Sequence, residues 1–234
     1  MRRLIFLGAA VCLALLGGCG GREQVSSTLA ERQVRVEWLG NQCFRITSSI
    51  GTTILTNPFA SGTGGRTFPS NLRPDIVLIS QENSEANNID ALANSPTVFR
   101  GSVGMGVNNS SGIRIRGVAT FQDPNRELVT GMNIVYVWSM DGVRFCFLGS
   151  LANPLTPLQA SEIGAVDVLF VPVGGSLSPS ARESVISQLR PRVVIPMGRA
   201  PGWTTGMVRR ADGSSVMLSR SALPLQLTTI LLAP

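Results

Sequence analysis

Hydrophobic and polar residues alternate along the first part of the folded region. The runs VRVEWLG, CFRITS and TTILTN are short, rich in β-branched residues and separated by Gly, Asn and Ser, which predicts three strands in a meander. DIVLIS lacks this alternation and predicts a fourth strand that is buried. NIDALANS predicts a brief helix. TVFR and IRIRGVAT predict two more strands, with the glycine-rich residues 101–112 between them as a mobile turn.

The pattern changes in the second half of the chain. MNIVYVWSMDGVRFCFLG contains two alternating runs joined across MDG, which predicts a β-hairpin. TPLQASEIG and SPSARESVISQLR predict helices, because Thr156 and Ser178 can act as N-caps and each precedes a proline. VDVLFVPVGG, RVVIP, SVMLS and LQLTTILL predict strands. The sequence therefore predicts an α/β fold with enough strands for two sheets.

The N-terminal residues predict export and lipid attachment. Two arginines precede an apolar run from Leu4 to Leu16, about thirteen residues, which is short for a bilayer span of roughly twenty. The following LLGGC resembles the bacterial lipoprotein box. This resemblance implies a signal peptide over residues 1–18, lipid on Cys19, a polar tether over residues 19–31 and a folded domain over residues 32–234. An ordinary signal peptide with an incidental Cys19 is the alternative.

Lipidation would place the protein at the cell envelope, at the outer membrane facing the periplasm or at the cell surface. In that oxidising setting Cys43 and Cys146 could form a disulfide, although both lie in apolar strand patterns that favour buried free thiols. The net charge is +6, and all twenty basic residues are arginine. They are scattered without a dense run, so we expect no binding to nucleic acid. The chain contains no histidine.

Six segments together resemble a known family, the metallo-β-lactamase-fold hydrolases, in their lactonase-like branch. They are VEWLGNQCFRI, GTTILTNPF, DIVLIS, NIVYVWSMDGVRFCFLG, LTPLQASEIGAVDVLFVPVGG and RVVIPM, and the match extends over nearly all of residues 34–234. The resemblance implies an αββα sandwich of two mixed β-sheets flanked by helices. It also implies a site for one or two metal ions, usually zinc, held by histidines and aspartates.

The positions that match these ligands hold other residues in this chain. In chain order the degenerate positions are Gln81, Asn83, Glu85, Ala86, Gln122, Ser150, Asn153 and Gly198. Asn57 also replaces an aspartate of the family, and Gln42 a histidine. Only Glu85 retains a strong ligand, so we expect the ancestral zinc, and the metal-bound water that it activates, to be lost. Amides can hydrogen bond to each other where unpaired charges would be costly.

These substitutions favour a non-catalytic binding or scaffolding protein, anchored in the membrane, with an unidentified protein or small-molecule partner. The alternative is a hydrolase of esters, lactones or phosphoesters that holds Ca²⁺ or Mg²⁺ through Glu82, Glu85 and Asp123. A serine mechanism through Ser150 or Ser84 has less support, because the chain lacks histidine and lysine bases. An open cleft with converging polar groups at the old site would favour a binding module or a new enzyme, and a closed, amide-filled site would favour a scaffold.

Overall fold

The computed structural model describes residues 31–121 and 131–233, which contain fourteen strands, three α-helices and two 3₁₀ turns. The strands are β1 Gln33–Gly40, β2 Cys43–Thr47, β3 Thr53–Thr56, β4 Ile76–Leu78, β5 Thr97–Phe99, β6 Gly106–Ser110, β7 Ile113–Phe121, β8 Met132–Met140, β9 Val143–Phe147, β10 Val168–Pro172, β11 Val193–Met197, β12 Met207–Arg210, β13 Ser215–Ser219 and β14 Thr228–Leu231. The helices are α1 Gly101–Gly104, α2 Pro157–Ile163 and α3 Pro179–Leu189, and the 3₁₀ turns are Thr63–Gly65 and Ile89–Ala91.

The strands form two mixed sheets. The six-stranded sheet has the order β13-β1-β2-β3-β4-β5, and the eight-stranded sheet has the order β12-β14-β11-β10-β9-β8-β7-β6. The meander β1–β3 is antiparallel, whereas β3, β4 and β5 run parallel. Strands β9, β10, β11 and β14 are parallel too. The predicted α/β sandwich is confirmed, with few helices in the described residues.

Aromatic side chains fill the space between the sheets. Trp138 stacks on Phe145 with ring centroids 5.5 Å apart, and Phe170 packs against Phe44 at 4.8 Å. These side chains are all but inaccessible to solvent, and aromatic pairs of this kind bury large apolar areas. The core therefore joins the two sheets along their inner faces.

The outer face of each sheet is covered differently. Helices α2 and α3 lie on the eight-stranded sheet, where Ile163, Val185 and Leu189 are buried. On the six-stranded sheet, residues of the long connection between β3 and β5 form a smaller apolar cluster that includes Phe59 and Ala86. Both apolar clusters lie on the outer faces of the sheets, next to the loops that follow the strands.

Local signals in the sequence correspond to local structure. Asp141 and Gly142 form the turn of the predicted hairpin between β8 and β9. Thr156 caps α2 in a reciprocal capping box with Gln159, and Ser178 caps α3 by accepting from the Ala181 amide. Cys43 and Cys146 are buried free thiols, as favoured above.

Two predictions about the middle of the chain differ from the structure. The brief helix predicted for NIDALANS is present as the 3₁₀ turn Ile89–Ala91, shorter than expected. The glycine-rich residues 101–112 contain α1 and β6 instead of the predicted turn. Strand β6 can pair with β7 here because Gly117 lies against Gly104. A Cβ at Gly117 would be 1.9 Å from the Gly104 carbonyl oxygen. The glycines thus allow close packing of the backbone.

The predictions for residues 1–30, including the lipidated Cys19, lie outside the described residues, as do Gln122 and Asp123. Over residues 31–121 and 131–233, no helix combines the length and the apolar character needed to cross a bilayer.

Candidate functional site

The candidate site lies at one end of the sandwich, where five strands of the two sheets end. Asn57 follows β3, Ser80 follows β4 and Ser150 follows β9. Val173 and Gly198 directly follow β10 and β11. Ligand sites in α/β folds occur at the carboxyl ends of parallel strands, so the sheets themselves bring these loops together.

A hydrogen-bonded network of amides and hydroxyls connects the loops. The Asn57 side-chain amide donates to Ser80 Oγ at 2.8 Å and to Gln42 Oε1 at 3.0 Å, and the Ser80 backbone amide donates back to Asn57 Oδ1 at 2.8 Å. Gln42 Nε2 in turn donates to Ser150 Oγ at 3.1 Å. Three residues that match charged or metal-binding family positions, Gln42, Asn57 and Ser150, therefore satisfy one another as neutral groups.

Asn133, in β8, extends this network into the interior. Its side chain accepts from the Ser150 backbone amide at 2.9 Å and donates to Leu148 O at 2.9 Å and to Thr120 Oγ1 at 2.7 Å. The sequence analysis did not identify Asn133. The sequence feature that could have pointed to Asn133 is its position as a polar residue at the start of an apolar strand. A side-chain amide buried at such a position needs several hydrogen-bond partners.

The loop from Gln81 to Ala86 places the degenerate ligand positions in different environments. Gln81 is 4% exposed, and its Oε1 has no hydrogen-bond partner in the described residues. Asn83 caps the loop by accepting from the Glu85 amide at 3.0 Å, whereas Ala86 is buried in the apolar cluster with Phe59. Only Glu85 of this loop lines the cleft described next.

An open cleft of about 280 Å³ remains beside the network. It is lined by Gln42, Glu85 and Gly198, which the resemblance placed at the site, and by two arginines, Arg66 and Arg199. Asn153 lines a different, small cavity of about 30 Å³ next to Thr120 and Gln159. The structure thus brings together some of the expected positions and separates others.

Arg66 is held in the cleft by an aromatic ring. Its guanidinium carbon lies 4.9 Å from the ring centroid of Trp38, and the Trp38 indole donates to Asn41 O at 2.8 Å. Stacking of this kind fixes the orientation of a guanidinium without neutralising it. Within the described residues Arg66 has no ion-pair partner, so its charge remains available to a ligand. Neither Arg66 nor Trp38 was identified from the sequence.

The donor set does not fit zinc. Zinc needs three or four His, Cys or carboxylate ligands, and the residues described here contain no cluster of three such groups. Glu85 is the single carboxylate lining the cleft. The Glu82 carboxylate forms an ion pair with Arg100 and is absent from the cleft lining.

Other titratable side chains near the core have structural roles. Burial raises the pKa of both thiols, Cys43 and Cys146, which lie in different apolar clusters. Burial also raises the pKa of Tyr136, whose hydroxyl donates to the backbone oxygens of Ile79 and Phe99, 3.0 and 2.8 Å away. These groups stay neutral and supply neither a metal ligand nor a base.

Comparisons with known proteins agree with this geometry. A family model described as "Beta-lactamase superfamily domain" matches residues 35–198. A predicted Zn-dependent hydrolase of the metallo-β-lactamase superfamily from Thermotoga maritima is 28% identical, with a TM-score of 0.68 over 86% of this chain and 98% of that one.

A predicted metal-dependent hydrolase from Parabacteroides distasonis, 16% identical, has the same fold, with a TM-score of 0.56 over 74% of this chain and 85% of that one. No curated protein sequence matches significantly. The fold, the loops at the strand ends and the matching model agree, and the chain belongs to the β-lactamase superfamily, as a metallo-β-lactamase-fold hydrolase family member.

Proposed function

We propose that this chain is a non-catalytic binding protein, anchored by lipid in the cell envelope, whose cleft holds a small ligand with an anionic group. The observation that carries the proposal is the neutral network of Gln42, Asn57, Ser80 and Ser150 beside an open cleft. A scaffold would need no cleft, and a zinc hydrolase would need ligands that this donor set lacks.

The charges in the cleft suggest the class of ligand. Arg66 and Arg199 offer two guanidinium groups, which suit a carboxylate or phosphate because they donate paired hydrogen bonds. Trp38 adds an apolar wall, and Asn41 and Gln42 add amides. Glu85 would repel a second anionic group and favour a ligand with a hydroxyl or ammonium at that end. A volume of about 280 Å³ limits the ligand to a small molecule.

A hydrolase with an oxygen-ligand metal site receives less support. That alternative requires Glu82 beside Glu85, but the Glu82 carboxylate is paired with Arg100 and also accepts from Asn87 Nδ2 at 3.4 Å. Ser150 Oγ hydrogen bonds to the Gln42 amide, which cannot act as a general base. The described residues therefore favour binding over both catalytic alternatives.

Elemental analysis tests the loss of the metal site. After exposure of the purified chain to Zn²⁺, Mn²⁺, Fe²⁺, Mg²⁺ or Ca²⁺ and removal of free ion, we expect well under one bound metal per chain, because one carboxylate cannot hold these ions tightly. Chain kept without metal is the control. Stoichiometric metal that disappears in Glu85→Gln would refute the non-catalytic proposal and favour the alternative hydrolase.

Titration with inorganic phosphate and with acetate tests the cleft as an anion site. We expect phosphate to bind the native chain, and Arg66→Gln to weaken binding about 10- to 100-fold, because a charge-assisted hydrogen bond contributes about 1.5–3 kcal/mol. The matched control is Arg209→Gln, which removes the same charge from the exposed edge strand β12. Equal affinities of the two variants would argue against the cleft as the binding site.

A further inference from the structure

The end of the domain opposite the cleft is where the described chain begins, and we call it the N-terminal pole. It comprises Glu31 and Arg32, the turn at residues 48–52, the hairpin turn Asp141–Gly142, the residues that precede β4, β10 and β11, the start of β7, and the loop at residues 220–227. The cleft residues Val173 and Gly198 follow β10 and β11. A five-residue strand spans about 16 Å, so the cleft and the pole are separated by the length of the sheet.

Direct contacts connect the parts of the N-terminal pole. Ser219 Oγ donates to Glu31 Oε1 at 2.7 Å, and the next residue, Arg220, pairs with Asp167 at 2.5 Å. A Cβ at Gly142 would lie 3.7 Å from Arg220, so the hairpin turn packs on this arginine. Asp141 accepts from Ser49 Oγ at 2.9 Å, which adds the turn at residues 48–52.

The loop at residues 220–227 completes this surface. It ends where the Thr228 amide donates to Arg192 O at 2.9 Å, and the Arg192 amide donates to Asp167 O at 3.0 Å. Leu225 lies in this loop, three residues before Thr228. The turns of both sheets therefore form one continuous surface around the point where the chain enters the domain.

Four exposed arginines that form no ion pair within the described residues lie at this pole. They are Arg32, Arg73, Arg114 and Arg190. Arg73 precedes Asp75, which accepts from Thr53 at the end of the turn. Arg114, at the start of β7, lines the same surface cavity as Ser139, which lies two residues before the hairpin turn.

The acidic groups of the pole are engaged in local hydrogen bonds. Asp75, Asp141 and Asp167 each accept from a backbone amide, of Thr53, Ser49 and Arg144 respectively, and Glu31 accepts from Ser219. The carboxylates keep their negative charge in these bonds. Arg32, Arg73, Arg114, Arg190 and Arg220 outnumber the four carboxylates, so the pole carries a small net positive charge.

Two aliphatic side chains project from the same pole. Ile50, at the tip of the turn at residues 48–52, is 84% exposed, and Leu225 is 93% exposed. An exposed aliphatic residue is ordinary when it is alone. Here both lie on loop tips among unpaired arginines, and this combination resembles surfaces that bind an anionic membrane interface.

We infer that the N-terminal pole rests on an anionic lipid bilayer, with Ile50 and Leu225 inserted at the interface and the arginines against lipid phosphates. The inference rests on the proposed anchoring, because a lipid on Cys19 would keep Glu31, twelve residues further along the chain, within about 40 Å of the bilayer. One acyl chain binds membranes only marginally, and basic residues add about 1 kcal/mol each near an anionic surface. The cleft then faces away from the membrane, toward ligands in the aqueous compartment.

Site-specific fluorescence on the full-length, lipid-modified protein tests this orientation. Ile50→Cys and Leu225→Cys each carry a polarity-sensitive label, and the matched control is Leu158→Cys, a 70% exposed aliphatic residue at the start of α2. The native Cys43 and Cys146 are buried and should not react. With vesicles of phosphatidylethanolamine and phosphatidylglycerol, we expect a blue shift and quenching by spin-labelled lipid at positions 50 and 225, and neither at position 158.

Charge removal provides the second measurement. In the variant with Arg32, Arg73 and Arg114 replaced by glutamine, each lost arginine should weaken binding to these vesicles about fivefold. Arg210→Gln removes the same charge from the exposed end of β12, away from the pole and outside the cleft lining, and should have no such effect. If the protein carries lipid but the labels at positions 50, 158 and 225 all show an aqueous environment, the proposed orientation is wrong and the proposed anchoring is unaffected. Shifts at positions 50 and 225 that need no vesicles would indicate self-association and would also overturn it.

The mass of the N-terminal peptide shows separately whether Cys19 is acylated. If it is not acylated, the anchoring in the proposed function fails. Binding of the pole to anionic vesicles can still be measured on the same chain, as a salt-dependent affinity lost in the triple arginine variant.

Discussion

Replacement of Asn133 with alanine is expected to lower the free energy of unfolding by about 3 kcal/mol. The Asn133 side chain is fully buried and makes hydrogen bonds to Thr120, Leu148 and Ser150. Its removal leaves the Leu148 carbonyl and the Ser150 amide without these partners, and each unpaired buried group costs about 1–3 kcal/mol. Thermal unfolding should show a melting temperature about 6–12 °C lower.

Asn109→Ala is the matched control, because Asn109 is an exposed asparagine in β6, the strand paired with the other edge of β7. We expect this variant to unfold within about 0.5 kcal/mol of the native chain. If Asn133→Ala lowers the free energy of unfolding as little as Asn109→Ala does, the hydrogen bonds of Asn133 contribute little to stability. The network would then not hold the loops together.

Asn133→Asp keeps the shape of the side chain and introduces an ionisable carboxyl group. The new carboxylate would face the Leu148 carbonyl, so its pKa in the folded chain should rise above the unfolded value of about 3.9. Stability should then be near that of the native chain below about pH 3.9, and it should fall as the pH rises from there to the raised folded pKa. A deficit that is independent of pH would show that charge is not the cause.

Local sequence patterns were sufficient for the elements whose signals lie within a few residues. The caps at Thr156 and Ser178 and the turn at Asp141–Gly142 follow from backbone preferences of neighbouring residues. Strand β6 was not predicted, since its pairing depends on the approach of Gly104 and Gly117, thirteen positions apart. Such a contact is visible only after the chain has folded.

The candidate site likewise combines features that the sequence indicates with features that depend on long-range contacts. The resemblance predicted which positions lack the metal ligands of the family, and in the structure the side chains of Gln42, Asn57 and Ser150 hydrogen bond to one another. Asn133 and Arg66 could not be identified, because their roles depend on partners far away in sequence, Ser150 and Trp38. The N-terminal pole was also unpredictable, since Ile50 and Leu225 come from turns in different parts of the chain.

The hydrogen-bonded network joins the loops of the candidate site through neutral side chains. Asn57 joins the loops after β3 and β4, and Gln42 and Ser150 join the first hairpin to the loop after β9. Asn57 has a left-handed backbone, φ 36°, that asparagine tolerates better than most residues. Neutral partners avoid the cost of buried charge that an incomplete metal site would leave.

Gly149→Ala should destabilise the chain by about 3–4 kcal/mol and weaken phosphate binding in the cleft, because Gly149 packs tightly against Ser80 in the loop after β4 and against Asn133 in β8. Its φ is 59°, and an added Cβ would lie 2.4 Å from Asn133 Oδ1 and 2.5 Å from Ser80 Oγ. Both atoms belong to the network, so the methyl group must break hydrogen bonds to Ser80 or to Asn133. Urea unfolding and phosphate titration measure the two effects.

Gly112→Ala is the matched control, because it introduces the same kind of backbone strain without a steric clash. Gly112 has a φ of 73°, and nothing lies within 4 Å of its added Cβ, so this variant should lose only about 1–2 kcal/mol and keep its phosphate affinity. The difference between the two variants measures the close packing at Gly149. If they unfold alike, strain alone explains the need for glycine, and the network is loose enough to admit a methyl group. A larger loss at Gly149 with unchanged phosphate affinity would mean that the network stabilises the fold without shaping the cleft.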